Sequence, residues 1–144
     1  MTCKIDISLL SEFVDGNIGN DWQYSLAAEV ADAGQAATGR IDVPRHTLKP
    51  GATRELTDSP SITIDAGPCG ARVRVVLTLA AAEVDWVFSD TGEDSAVIEI
   101  DCPGPGGDPV MREREISAYV EERPRVLGGS ANFVVGVRAV ARCG

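Results

Sequence analysis

Val73-Arg74-Val75-Val76-Leu77-Thr78-Leu79 is the stretch on which the fold turns. Val73, Val75, Leu77 and Leu79 recur at a period of two, while Arg72, Arg74 and Thr78 face the other way. Successive side chains of a strand point to opposite faces, so this alternation predicts a strand with one buried and one wet face. The continuation from Leu79 to Val84 holds three alanines, which favour helix. Its neighbours are β-branched, and the segment is read as more strand.

The same period recurs on both sides. Ile5, Ile7 and Leu9 mark a first strand, Tyr24, Leu26, Ala28 and Val30 a second, residues 40–43 a third and 61–64 a fourth. After the fifth, at Val73 to Leu79, come residues 96–100, then Ile116, Ala118 and Val120, then Phe133, Val135, Val137, Ala139 and Ala141. Turn formers separate these runs: Asp15-Gly16, Pro50-Gly51, Gly67-Pro68, residues 103–109 and Gly128-Gly129. Short strands at this spacing predict an all-β fold, an eight-stranded antiparallel β-sandwich, rather than parallel βαβ units. There is no internal repeat and no long linker, so residues 1–144 read as a single β-sandwich domain. The stretch 44–60 reads as a surface loop.

Composition narrows the partners. Thirteen basic and twenty-two acidic side chains give a formal charge of −9. Nucleic-acid binding relies on lysine and arginine neutralising phosphates, so the balance argues against that partner. It also argues against electrostatic attraction to an anionic membrane. No stretch nears the roughly 20 apolar residues that span a bilayer, so no transmembrane segment is expected. The opening residues, MTCKIDISLL, show no signal peptide.

If consecutive strands alternate in direction, the loops 14–21, 44–60, 83–95 and 123–130 gather at one end. Cys3, Cys69, Cys102 and Cys143 then gather at the other. Parity favours the disulfides Cys69–Cys102 and Cys3–Cys143, out of three possible connectivities. Structural zinc and free thiols are the alternatives, although no Cys-x-x-Cys spacing supports zinc. Disulfides would place the chain in an extracellular or otherwise oxidising compartment.

The opposite end is acidic. Its first loop carries Asp15 and Asp21, and the loop after the fifth strand carries Glu83, Asp85 and Asp90. Hard cations such as calcium take six to eight oxygen ligands, and a bound cation relieves repulsion between neighbouring carboxylates. Asp, Asn and Gly are also ordinary turn formers. Trp86 and Phe88 lie within the same loop, either to contact a membrane or partner or to cap the core.

The segment from Val75 through Glu83-Val84-Asp85, then Asp90 and Gly92, resembles the third calcium-binding region of C2 domains. The resemblance implies a C2-like sandwich, with Glu83, Asp85 and Asp90 as ligands and Asp15 and Asp21 as candidates from the first loop. The chain departs from that family in two ways. Asp21-Trp22-Gln23-Tyr24 stands where an Asp-Pro-Tyr-like segment usually follows, and the basic lipid-binding strand has no clear equivalent.

Catalytic signals are sparse. His46 is the sole histidine and reads as a surface loop residue, leaving a serine or cysteine nucleophile without an ordinary base. Residues 104–107 form no phosphate loop. The functional expectation is a non-catalytic, C2-like binding module, calcium-dependent, that touches a membrane surface or protein partner. The alternative is an immunoglobulin-like, calcium-independent protein-interaction module.

Overall fold

The computed structural model describes residues 1–31, 37–56, 60–84, 89–122 and 129–144. Among these residues there are nine strands and no helix. In chain order they are β1 (Thr2–Gly16), β2 (Asp21–Val30), β3 (Thr38–Thr47), β4 (Arg54–Glu55), β5 (Ser61–Pro68), β6 (Arg72–Val84), β7 (Ser89–Asp101), β8 (Val110–Glu121) and β9 (Ser130–Cys143).

The strands form two antiparallel sheets. In the first, β1 lies between β9 and the pair β4 and β5, and β8 pairs with β9 at the other side. The second runs β3-β2-β6-β7. β4 and β5 flank the same side of β1, opposite Ser11 and Glu12 and opposite Thr2 to Ser8 respectively. The ninth strand, β4, is therefore a short piece of the 44–60 stretch, where the sequence predicts loop. Two residues carry no periodicity from which it could be read. β7 also begins earlier than its apolar run, because Ser89 to Ser95 is polar yet pairs fully with β6.

Inward residues of both sheets make one aliphatic core. Ile5, Ile7, Leu26, Val75, Leu77, Leu79, Phe133, Val135 and Val137 are all fully or almost fully buried. Each such side chain contributes roughly 1.5–3 kcal/mol relative to exposure. The alanine run 80–82 lies within β6, where period-two burial overrides helix propensity.

The cysteines correct the expected pairing. They do form two disulfides at one end, but the bonds are Cys3–Cys102 and Cys69–Cys143. Cys3 and Cys143 sit opposite one another in the β1–β9 ladder. Opposite residues share a face, and both here point off the sheet toward the other layer. Each therefore meets a cysteine across the core rather than its neighbour in the ladder.

Two irregularities shape the other end. In β1 the register against β9 slips between Leu9 and Ser11. Before the slip Ile5, Ile7 and Leu9 are buried; after it Glu12 and Val14 are. In β3, two residues, Pro44 and Arg45, stand against Gln23 of β2, so that His46 comes opposite the inward Trp22. β-Bulges re-aim side chains in this way. Both bulges here turn a polar residue inward.

Candidate functional site

Glu12 is the centre of the best-built polar group in the described residues. It is 1% exposed. The Tyr24 hydroxyl donates to its Oε2 at 2.5 Å. His46 Nε2 lies 2.8 Å from Oε1, and Arg54 Nη1 donates to that same oxygen at 3.2 Å. A buried carboxyl group is tolerated only when its polar atoms are partnered; Tyr24 of β2 and Arg54 of β4 donate to it, and the His46 ring of β3 stands within hydrogen-bond distance. Burial, reinforced by the hydrogen bond to Glu12, pushes the Tyr24 hydroxyl far above the usual phenol range, so it stays a donor. Tyr24 packs against Phe133 at 4.9 Å and edge-on to His46 at 6.1 Å, which fixes both rings.

This group lines a cleft of about 400 Å³ between β1, β3 and β4. Leu9, Val43, Pro44, Leu56 and Pro60 supply its apolar walls. Arg54 stands at the mouth with about half its side chain exposed. His46, read from sequence as a surface loop residue, is instead part of β3 with only 17% of its side chain exposed. The bulges were the missed signal. The phase slip at Leu9-Leu10-Ser11-Glu12 and a proline inside β3 both mark them in the sequence.

Asp15 lies near the end of β1, Asp21 opens β2, and Glu83 pairs with Asp90 where β6 and β7 adjoin. Their directions differ. Asp15 shares the outer face of the first sheet with Ser11 and Phe13. Asp21 accepts hydrogen bonds from Arg45 at 2.7 Å and Thr47 at 3.3 Å, and the Arg45 bond holds its carboxyl below the usual range. Glu83 and Asp90 point inward and are buried. Gly19 packs so closely over Glu83 that a Cβ there would lie 2.0 Å from Oε1. Asp85, Trp86 and Phe88 lie outside the described residues.

Among the described residues no group of three or more His, Cys, Asp or Glu side chains is arranged to hold a metal ion. No helix among the described residues is long and apolar enough to cross a membrane.

Fold and site together define an all-β, sandwich-like, disulfide-bonded domain with a polar cleft at one side. No protein-family model matches the chain, and no curated protein matches it either.

Proposed function

We propose that this chain is a non-catalytic, calcium-independent interaction module of an oxidising compartment, a β-sandwich that seats part of a protein partner in the Glu12 cleft. One observation carries the reading: the cleft's polar atoms are satisfied from within. Both oxygens of Glu12 and both ring nitrogens of His46 are engaged, and Tyr24 keeps its proton. Glu12, Tyr24 and His46 are thus engaged with one another, while Asp42 and Glu55 also line the cleft. A ligand meets the apolar wall, the outer half of Arg54 and the charged residues Asp42, Arg45 and Glu55, of which the wall and Arg54 suit an apolar side chain beside a carboxylate. Two disulfides are consistent with the compartment.

Selection of a displayed random-peptide library against the protein tests this. Enriched peptides should pair an apolar residue with an acidic one and bind Leu56→Asp at least tenfold more weakly by calorimetry, the scale of one desolvated contact. Failure to enrich, or equal binding by Leu56→Asp, rejects the cleft as the seat.

One observation favours a second reading, a C2-like module that uses calcium to meet a membrane or protein. Asp15, Asp21, Glu83 and Asp90 share an end. A calorimetric heat with millimolar calcium, lost in Asp90→Asn, would select this reading over the first.

A further inference from the structure

We propose that the four cysteines act as one thiol–disulfide exchange group. Once an external thiol reduces Cys69–Cys143, the Cys143 thiolate displaces Cys102 from Cys3 and leaves Cys3–Cys143 as the single remaining bond. A two-electron reduction thereby releases both cysteine ties between the layers.

The register of β1 against β9 carries the inference. Cys3 and Cys143 stand opposite one another, and Gly144 N donates to the Thr2 carbonyl at 3.2 Å. A hydrogen bond between the residues that flank an opposed pair marks it as the non-hydrogen-bonded kind, in which side chains come closest. Both side chains lie on the same face of the sheet. The sulfurs of Cys3 and Cys143 are therefore neighbours, although each is bonded elsewhere.

Exposure sets the order of events. Cys3 is 0% exposed and Cys102 4%, whereas Cys69 and Cys143 are only partly buried. Cys69 lies in the turn between β5 and β6. Exchange requires access to the sulfur under attack, so an external thiol meets Cys69–Cys143 first, and Cys3–Cys102 is shielded.

The steps balance. In the first, two molecules of a low-molecular-weight thiol, or one dithiol, supply two electrons and two protons. The reductant ends as a disulfide, and Cys69 and Cys143 end as thiols. In the second, Cys143 loses its proton to solvent and its thiolate attacks the Cys3 sulfur. The Cys3–Cys143 bond forms, the Cys3–Cys102 bond breaks, and Cys102 leaves as a thiolate that takes up a proton. No electrons enter or leave in this step.

The exchange changes what the sulfurs hold together. Cys3–Cys102 ties β1 to the end of β7, and Cys69–Cys143 ties β9 to the turn that leads into β6. Cys3–Cys143 would link β1 only to β9, its own neighbour in the first sheet. The end of the second sheet, where Arg72 pairs with Asp101 and Cys102 N donates to the Ala71 carbonyl at 2.9 Å, then keeps no cysteine link to the first.

Stepwise reduction with trapping reads the exchange directly. The oxidised full chain is treated with limiting dithiothreitol near the ordinary thiol range, about pH 8, blocked with N-ethylmaleimide and digested without reduction. By mass spectrometry, the dominant single-bonded species should carry Cys3–Cys143, with Cys69 and Cys102 alkylated. A dominant species that keeps Cys3–Cys102, with Cys69 and Cys143 alkylated, overturns the proposal. Cys69→Ser tests the second step without reductant, because it leaves Cys143 unbonded from the start. This variant should hold Cys3–Cys143 and a Cys102 open to alkylation; retention of Cys3–Cys102 beside an alkylated Cys143 overturns the proposal equally.

Discussion

Cys3 and Cys143 face one another across the β1–β9 ladder, yet each is bonded to a different cysteine, Cys102 and Cys69. The two bonds thereby cross from the first sheet rather than reinforce it. Cys3–Cys102 ties β1 to the end of β7, and Cys69–Cys143 ties β9 to the passage from β5 to β6.

Mass spectrometry of a non-reduced digest should yield Cys3–Cys102 and Cys69–Cys143 peptides. A Cys3–Cys143 peptide would contradict this architecture. Replacing Cys3 and Cys102 together by alanine opens a loop of 99 residues. Chain entropy sets the expected loss at about 4–5 kcal/mol, measured by chemical denaturation under oxidising conditions.

Glu12 should be the most sensitive polar position. Glu12→Ala leaves Tyr24 and His46 facing an empty, buried space and Arg54 without its buried carboxyl partner, and the expected cost is about 3–5 kcal/mol. Tyr24→Phe removes one donor and keeps the ring stacked on Phe133, so about 1–2 kcal/mol is expected. A denaturation series finding less than about 1 kcal/mol for Glu12→Ala would mean that the cluster is not a structural centre.

These two sites show where sequence is informative. Period two along Val73 to Leu79 and Phe133 to Ala141 predicts strands that are present, because burial of alternate residues is a local signal. Direction parity likewise gathers the cysteines at one end. It cannot choose partners among the four cysteines, because that depends on which layer each side chain crosses to. Glu12 and His46 were missed for a related reason. A bulge inverts parity beyond it, so extending the Ile5, Ile7, Leu9 phase makes Glu12 look solvent-facing when it is buried. Of the acids, Asp15 and Asp21 lie on outer faces, while Glu83 and Asp90 stand opposite one another and face inward.

On the outer face of the first sheet, Asp6 accepts hydrogen bonds from Arg142 at 3.0 Å and Thr63 at 2.5 Å. The Arg142 bond, foremost, holds its carboxyl below the usual range against a smaller desolvation effect. A depressed folded-state value stabilises the fold above the ordinary carboxylate range and loses that effect as pH falls through the folded value. Because both side chains are more than a third exposed, Asp6→Asn should cost only about 0.5 kcal/mol at pH 7 and nothing near pH 2. An equal cost at both pH values would show that charge is not the source.

At Gly92, β7 of the second sheet lies close against β8 of the first. A Cβ at this position would lie 2.1 Å from the Tyr119 carbonyl oxygen and 2.9 Å from Val120 Cγ2. The first obstacle is backbone, which cannot rotate away, so Gly92→Ala must push β7 from β8. Farther along the same seam Arg114 donates to the Val97 carbonyl at 2.9 Å and covers that open edge of β7. Displacement at Gly92 would strain that bond as well. The expected cost is about 2–3 kcal/mol, in the range of an overpacked core. Gly104→Ala provides the comparison, because nothing lies within 4 Å of a Cβ there, and a change below about 0.5 kcal/mol is expected. Equal thermal midpoints for the two variants would mean that β7 and β8 are not in close contact at this point. The glycine in the acidic segment would then need an explanation other than packing.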